Sequence, residues 1–293
     1  MKYWLSMVTA ACMLVACEKT IDVNPDPQPA VLVVEGQIET GQGPIVSLST
    51  SLNYFSTIDT AILNNSFVHG AKITVTDGTR TTQLNEVSIV QGGAKVYYYI
   101  SPQSSSATTV IGVPGRKYTM VITTGGKTYT SITNIPILAK RVDSIWWKPA
   151  PPYVDSSHVV LMARITDPAG FGNYGRYFTR VNRESFYPGY NSVYDDQVTD
   201  GTTYDVQVDQ GVSKNEVQRR DDYGFFRRGD TVTLKNCNID KASYNFWRTW
   251  EFSYQSVGNP FSSPGKVIGN ISDGALGSFC GYAVELKSLI IPK

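Results

Sequence analysis

Between residues 31 and 130, apolar and polar side chains alternate with a period of two, in short runs cut at Gly, Asn and Ser. An extended chain puts every second side chain on one face, and a helix scrambles that order, so the pattern points to strands. Runs of this kind cover 31–38, 45–49, 70–78, 96–100, 117–123 and 127–130, with Asp77-Gly78 and Gly125-Gly126 as tight-turn pairs. Frequent Thr, Ser, Val and Gly and 18 Tyr favour twisted strands over helices. Strands at this spacing predict a β-sandwich over 31–137, closed at Asn134-Ile135-Pro136.

The second half is less regular. Residues 159–167 alternate and then break at Pro168-Ala169-Gly170, and 176–181 and 230–235 read as further strands. Asp240 reads as a helix N-cap, because Tyr244, Phe246, Trp247, Trp250 and Tyr254 follow at spacings of three and four. Trp146-Trp147 follows a β-like run and is expected to fill the junction between the halves. The fold class is therefore all-β: an N-terminal immunoglobulin- or transthyretin-like β-sandwich (31–137), then a second β-rich domain (138–293) with one short helix.

The N-terminus carries an export signal. Lys2 precedes an apolar run over 5–15, and Leu14-Val15-Ala16-Cys17 has the form of a lipobox. Residues 1–16 read as a lipoprotein signal peptide and Cys17 as the acylated residue, held in a lipid bilayer by several acyl chains. The apolar run is too short to span a bilayer, which takes about 20 residues. Residues 17–30 contain three prolines and read as an extended tether, at about 3 Å per residue. The chain holds 26 basic and 25 acidic residues, a balance that argues against a nucleic-acid partner. Cys12 leaves with the signal, so Cys237 and Cys280 remain in a compartment where disulfides persist. They are expected to form a disulfide closing about 44 residues, a constraint of roughly 4 kcal/mol. A pair of buried thiols is the alternative. Neither metal-ligand spacing nor a cofactor signature appears.

Several stretches together carry a resemblance. They are the lipobox, Val33-Val34-Glu35-Gly36, the strand over 70–77 and Lys117-Tyr118. Next come Thr166-Asp167-Pro168-Ala169-Gly170 with Asn173-Tyr174, the segment 195–201, and Gly229-Asp230-Thr231-Val232. Tyr244-Asn245-Phe246-Trp247, Gly258-Asn259-Pro260-Phe261, the segment 269–277 and Gly281-Tyr282 complete the series. In this order they resemble the Bacteroidota outer-membrane lipoproteins of domain-of-unknown-function family 4249, over nearly all of the chain after Cys17. The resemblance implies an outer-membrane location, with Glu18 and Asp22 just after the cysteine in the place where acidic residues direct some such lipoproteins to the cell surface, and a TonB-dependent transporter as genomic partner. It implies no activity and brings no catalytic residues.

The candidate sites are few. The segment 170–175 matches G-x-G-x-x-G, but a strand follows where a dinucleotide site needs a helix, so it reads as a Gly-rich turn. Asp167, Asp195, Asp196 and Asp200 are possible oxygen ligands for calcium, although Asx turns and a solvated acidic face explain the same residues. Arginines flank Asp221-Asp222 and offer them salt bridges. His69 and His158 are the only imidazoles, and no hydrolase string accompanies them. Phe186, Tyr187, Tyr190 and Tyr194 lie in a Pro-Gly-Asn segment read as a loop, a platform for stacking on a sugar or peptide. The competing reading has them sealing an apolar edge of the second domain. The expected function is non-enzymatic: a lipid-anchored outer-membrane lipoprotein that binds a ligand, or docks on a TonB-dependent transporter, to assist uptake. The alternatives are a structural or assembly lipoprotein, a surface hydrolase with carboxylate chemistry, and a calcium-stabilised adhesin.

Overall fold

The alternating runs are strands. The computed structural model describes residues 29–52, 60–91, 94–102, 109–213, 223–257 and 265–293. The lipobox, Cys17, the tether up to residue 28, Asp221-Asp222 and the Asn-Pro-Phe stretch lie outside these residues. The first half contains β1 (Leu32–Glu39), β2 (Ile45–Thr50), β3 (Lys72–Thr76), β4 (Thr81–Gln83), β5 (Asn85–Gln91), β6 (Ala94–Ile100), β7 (Arg116–Thr124) and β8 (Lys127–Ile135). The second contains β9 (Arg141–Pro149), β10 (His158–Thr166), β11 (Tyr174–Val181), β12 (Tyr187–Tyr194), β13 (Thr203–Val208), β14 (Phe226–Arg227), β15 (Thr231–Ile239) and β16 (Leu276–Ile290). Two helices lie among the described residues, α1 (Thr60–Ser66), which the sequence pattern does not announce, and α2 (Lys241–Ser256), capped by Asp240 as expected.

One eight-stranded sheet organises the molecule, in the order β12-β11-β15-β16-β1-β2-β6-β5. Its centre is β16. The first seven residues of β16 run parallel to β1, Val33 opposite Leu276 through Glu39 opposite Tyr282. The remainder runs antiparallel to β15, from Asn238 opposite Ala283 to Thr231 opposite Ile290. The expected boundary at 137/138 therefore does not divide the sheet, which passes from one half of the chain to the other.

Two four-stranded sheets pack on one face of this sheet. The set β4-β3-β7-β8 encloses the first core, with Val34, Ile38, Leu48, Ile73, Met120, Ile122 and Phe279 all at most 1 % exposed. The set β13-β10-β14, with β9 on β10, encloses the second core around Leu161, Ala163, Phe226, Val232 and Leu234. Strand register places both cores on the same side: Phe279 and Ala283 serve the first, and Leu234 and Val232, two and four positions along the pleat from Asn236, serve the second. Side chains of the opposite parity, Cys237, Ile239, Cys280 and Tyr282, meet α2 on the other face.

Glycine lets β16 lie this close. Gly277 has φ +94°, and a Cβ there would sit 1.9 Å from the Val34 carbonyl oxygen. Asn270 acts as a surrogate strand edge, its side chain accepting from Phe279 N and donating to Phe279 O, both at 2.8 Å. Between the two small sheets the chain crosses at 136–141. The side chain of Asn238 accepts from the amides of Ala139 and Lys140 and donates to the Lys140 carbonyl, while Glu285 accepts from Val142 N. These side chains supply the partners that a buried crossing would otherwise lack.

The structure corrects three expectations. Cys237 and Cys280 are free, buried thiols. The residue opposite Cys237 is Val284, four positions from Cys280, and at ~3.3 Å per residue the two cysteines stand roughly 13 Å apart, well beyond disulfide reach. Burial pushes the Cys237 thiol up to about 12. Trp146 and Trp147 do not fill the junction. They pair with Met162 and Leu161, where Trp147 packs on the second core and Arg228 and Arg164 cover the rings. Finally, the Pro-Gly-Asn segment is no loop but β12, an edge strand. Tyr and Val are strong strand formers, and an edge tolerates Pro188 because no neighbour needs its missing N–H.

Candidate functional site

The face of the long sheet away from the two cores carries a cleft of about 420 Å³ at the seam between the halves. Strand alternation turns Glu35 and Gln37 of β1, Ser47 of β2 and Tyr98 of β6 toward it. From the second half come Arg176 of β11, Tyr187 and Pro188 of β12, and Phe246, Trp247 and Trp250 of α2, with Ser278 and Tyr282 of β16 between the two sets.

Helix α2 is fixed over this face at both ends. Asp240 accepts from Ser243 N with one oxygen and from Asn134 N and Thr133 Oγ1 with the other, so the cap also ties the helix to β8. Near the other end Glu251 accepts from Ser192 N and Ser192 Oγ, and Gln255 donates to Tyr190 O and the Asn191 side chain. The aromatic residues repeat at three and four, so they share one side. Trp247 and Trp250 meet edge to face at 5.8 Å, and Trp250 stacks on Tyr254 at 5.5 Å.

Arg176 is the central group. It is only 4 % exposed, its guanidinium carbon lying 3.4 Å from the Trp247 ring centre and 4.7 Å from that of Phe178. Its Nε donates to Ser192 Oγ at 3.0 Å and its Nη1 to the Tyr282 hydroxyl at 3.1 Å. The Tyr282 oxygen also accepts from Trp247 Nε1 at 2.9 Å. Burial drives the Tyr282 phenol well above its ordinary range, against the pull of Arg176. Glu35 is open to solvent within the cleft, yet the surrounding protein displaces enough water to raise its carboxyl pKa. Tyr98 is raised by burial first and by the charge of Glu35 second.

Of the four aromatic candidates, only Tyr187 reaches the cleft lining. Phe186 lies under Arg180 and near Lys235. Tyr190 meets Tyr223 edge to face at 5.7 Å, and its amide donates to the Tyr223 hydroxyl. Tyr194 turns inward, donates to Asn236 Oδ1 and lies 5.3 Å from the Lys140 ammonium. The segment thus divides between the two readings, one ring toward the cleft and the rest in packing.

The four acidic candidates are occupied by protein donors. Asp167 pairs with Lys140 Nζ at 2.7 Å and accepts from Thr199 Oγ1. Asp195 accepts from the Tyr244 hydroxyl and the Gln197 amide, Asp196 from the amides of Gly172 and Asn173, and Asp200 from Gly170 N. Lys140 also donates to the Asp195 carbonyl, so its ammonium stands beside Asp167 and Asp195 where a cation would be received. Among the described residues no cluster of His, Cys, Asp or Glu suits a metal ion. The segment 170–175 is a turn with positive φ at Gly170 and Gly172, and it leads into strand β11. His69 faces Glu86 at 2.5 Å on the surface, and His158 is buried; neither lines the cleft.

Glu35, Arg176 and Tyr282 are the polar residues that sequence reasoning passed over. A signal for Arg176 is present: on its strand Arg176, Phe178 and Arg180 occupy one parity, a cationic and aromatic row where a plain β-strand would bury aliphatics. Glu35 and Tyr282 carry no such mark, because their meeting depends on β1 and β16 pairing across the chain.

Among the described residues no helix is long and apolar enough to cross a membrane. A comparison with curated proteins finds none that matches. The chain matches a family model over residues 18–288, a span that takes in both halves and the seam, and it belongs to the family described as Domain of unknown function (DUF4249).

Proposed function

We propose that this protein is a lipid-anchored lipoprotein of the outer membrane that captures a small ligand in the seam cleft and passes it to a TonB-dependent transporter, without chemistry of its own. The observation that carries the reading is the cleft: a concave, aromatic-walled space with a few converging polar groups, set on strands and a doubly tethered helix. Tyr and Trp offer a ligand large contact area at little entropic cost. The lipobox and Pro-rich tether support placement at a membrane surface, held off the lipid.

The test is a thermal-shift screen of the mature protein against neutral and charged mono- and oligosaccharides and short peptides. At least one compound should raise the Tm of the wild type. Trp250→Ala and Tyr187→Ala should each weaken its binding about tenfold or more while leaving the unliganded protein folded. Undiminished binding by both variants would place capture elsewhere.

A further inference from the structure

We infer that the ligand carries a carboxylate, received by Arg176 with Tyr282 beside it, a refinement that rests on the capture reading above. A guanidinium has five N–H donors. In Arg176 one goes to Ser192 Oγ and one to the Tyr282 oxygen, and among the described residues the others have no acceptor. The Tyr282 oxygen accepts twice, from Arg176 and from Trp247, and its own proton likewise finds no acceptor among the described residues. Arg176 Nη2 has no partner among the described residues and is not sealed from solvent, so with the Tyr282 hydroxyl, 3.1 Å from Nη1, it offers donors that a ligand entering the cleft can take.

Charge narrows the partner's chemistry. Among the described residues no salt bridge to Arg176 is formed, and the Ser192 hydroxyl links the guanidinium to Glu251. Ser192 and the rings of Trp247 and Phe178 hold the guanidinium plane, so little side-chain freedom remains to be lost on binding. A fixed guanidinium with in-plane donors free matches a carboxylate, and the Tyr282 hydroxyl adds a neutral donor at its flank. The indole rings suit a flat-faced ring attached to that carboxylate. On the facing wall Glu35 and Gln37 are acceptors for hydroxyl or amine hydrogens. An acidic sugar and an aromatic acid both present this chemistry, and the experiment separates them.

Isothermal titration of the mature protein would compare galacturonate with galactose, and phenylacetate with phenylacetamide. At least one acid should bind about tenfold or more tightly than its neutral counterpart, the pair that discriminates naming the source. Arg176→Gln should abolish that preference and Tyr282→Phe should reduce it. The wild-type comparison stands alone should either variant fail to fold. Equal binding of acid and neutral compound at a site sensitive to Trp250→Ala overturns the carboxylate assignment and leaves capture intact. Binding of neither acid, when the screen yields a neutral ligand, overturns it in the same way. Binding insensitive to Trp250→Ala removes the cleft and this inference with it.

Discussion

Lys140 and Asp167 have no exposed side-chain surface, and their charged atoms are 2.7 Å apart. Taking both ions out of water costs several kcal/mol each, so the pair is worth little unless further hydrogen bonds support it. Lys140 has them, from the Asp195 carbonyl and Thr199 Oγ1; Asp167 has Thr199 for one oxygen and nothing for the other. Lys140→Met should therefore cost about 3–5 kcal/mol in urea unfolding, because it strands a buried carboxylate. The double variant Lys140→Met with Asp167→Leu should recover most of that loss, and equal destabilisation of single and double variants would contradict the account. The sequence offers Asp167 and Asp195 as calcium ligands, and in the fold a lysine ammonium meets the Asp167 carboxylate and the Asp195 backbone carbonyl instead. That the cation is a lysine was not readable, since the chain must fold before Lys140 arrives between them.

Helix α2 and strand β16 show why some elements declare themselves and others do not. The helix signal is local: Asp240, then rings at three and four, readable within one short window. What the window hides is that Asp240 caps with one oxygen and holds β8 with the other. Asp240→Ala should accordingly cost about 2–3 kcal/mol in denaturant unfolding, above the ~1 kcal/mol of a simple cap, because Asn134 N loses its partner as well. A loss near 1 kcal/mol would mean the second contact contributes nothing. Strand β16 is the opposite case. Gly277, Ser278, Cys280 and Gly281 dilute its apolar alternation, yet those small residues are what the site requires. A Cβ on Gly281 would meet the Asn134 carbonyl oxygen at 2.5 Å, and the Gly281 amide donates to Thr133 Oγ1. Close packing of backbones erased the pattern by which a strand is recognised.

Across the whole molecule, the strand patterns of the first half were legible and the sheet that joins the two halves was not. A boundary read from spacing cannot anticipate that residues 276–282 return to lie beside 33–39. The consequence is cooperative unfolding. All four tryptophans after residue 16, Trp146, Trp147, Trp247 and Trp250, belong to the second half, so fluorescence reports that half and far-UV circular dichroism reports both. In urea the two signals should give one coincident transition, and midpoints clearly apart would show that the halves unfold separately. The same seam sets a condition on biosynthesis. Thr40 and Tyr282 bond across 242 residues, so a ribosome finishes almost the entire chain before the early strand β1 meets its parallel neighbour. Throughout that interval β1 offers a row of bare amides and carbonyls to any passing chain. A chain halted before Leu276 should then keep that edge of β1 open and associate with other chains rather than fold as a smaller protein.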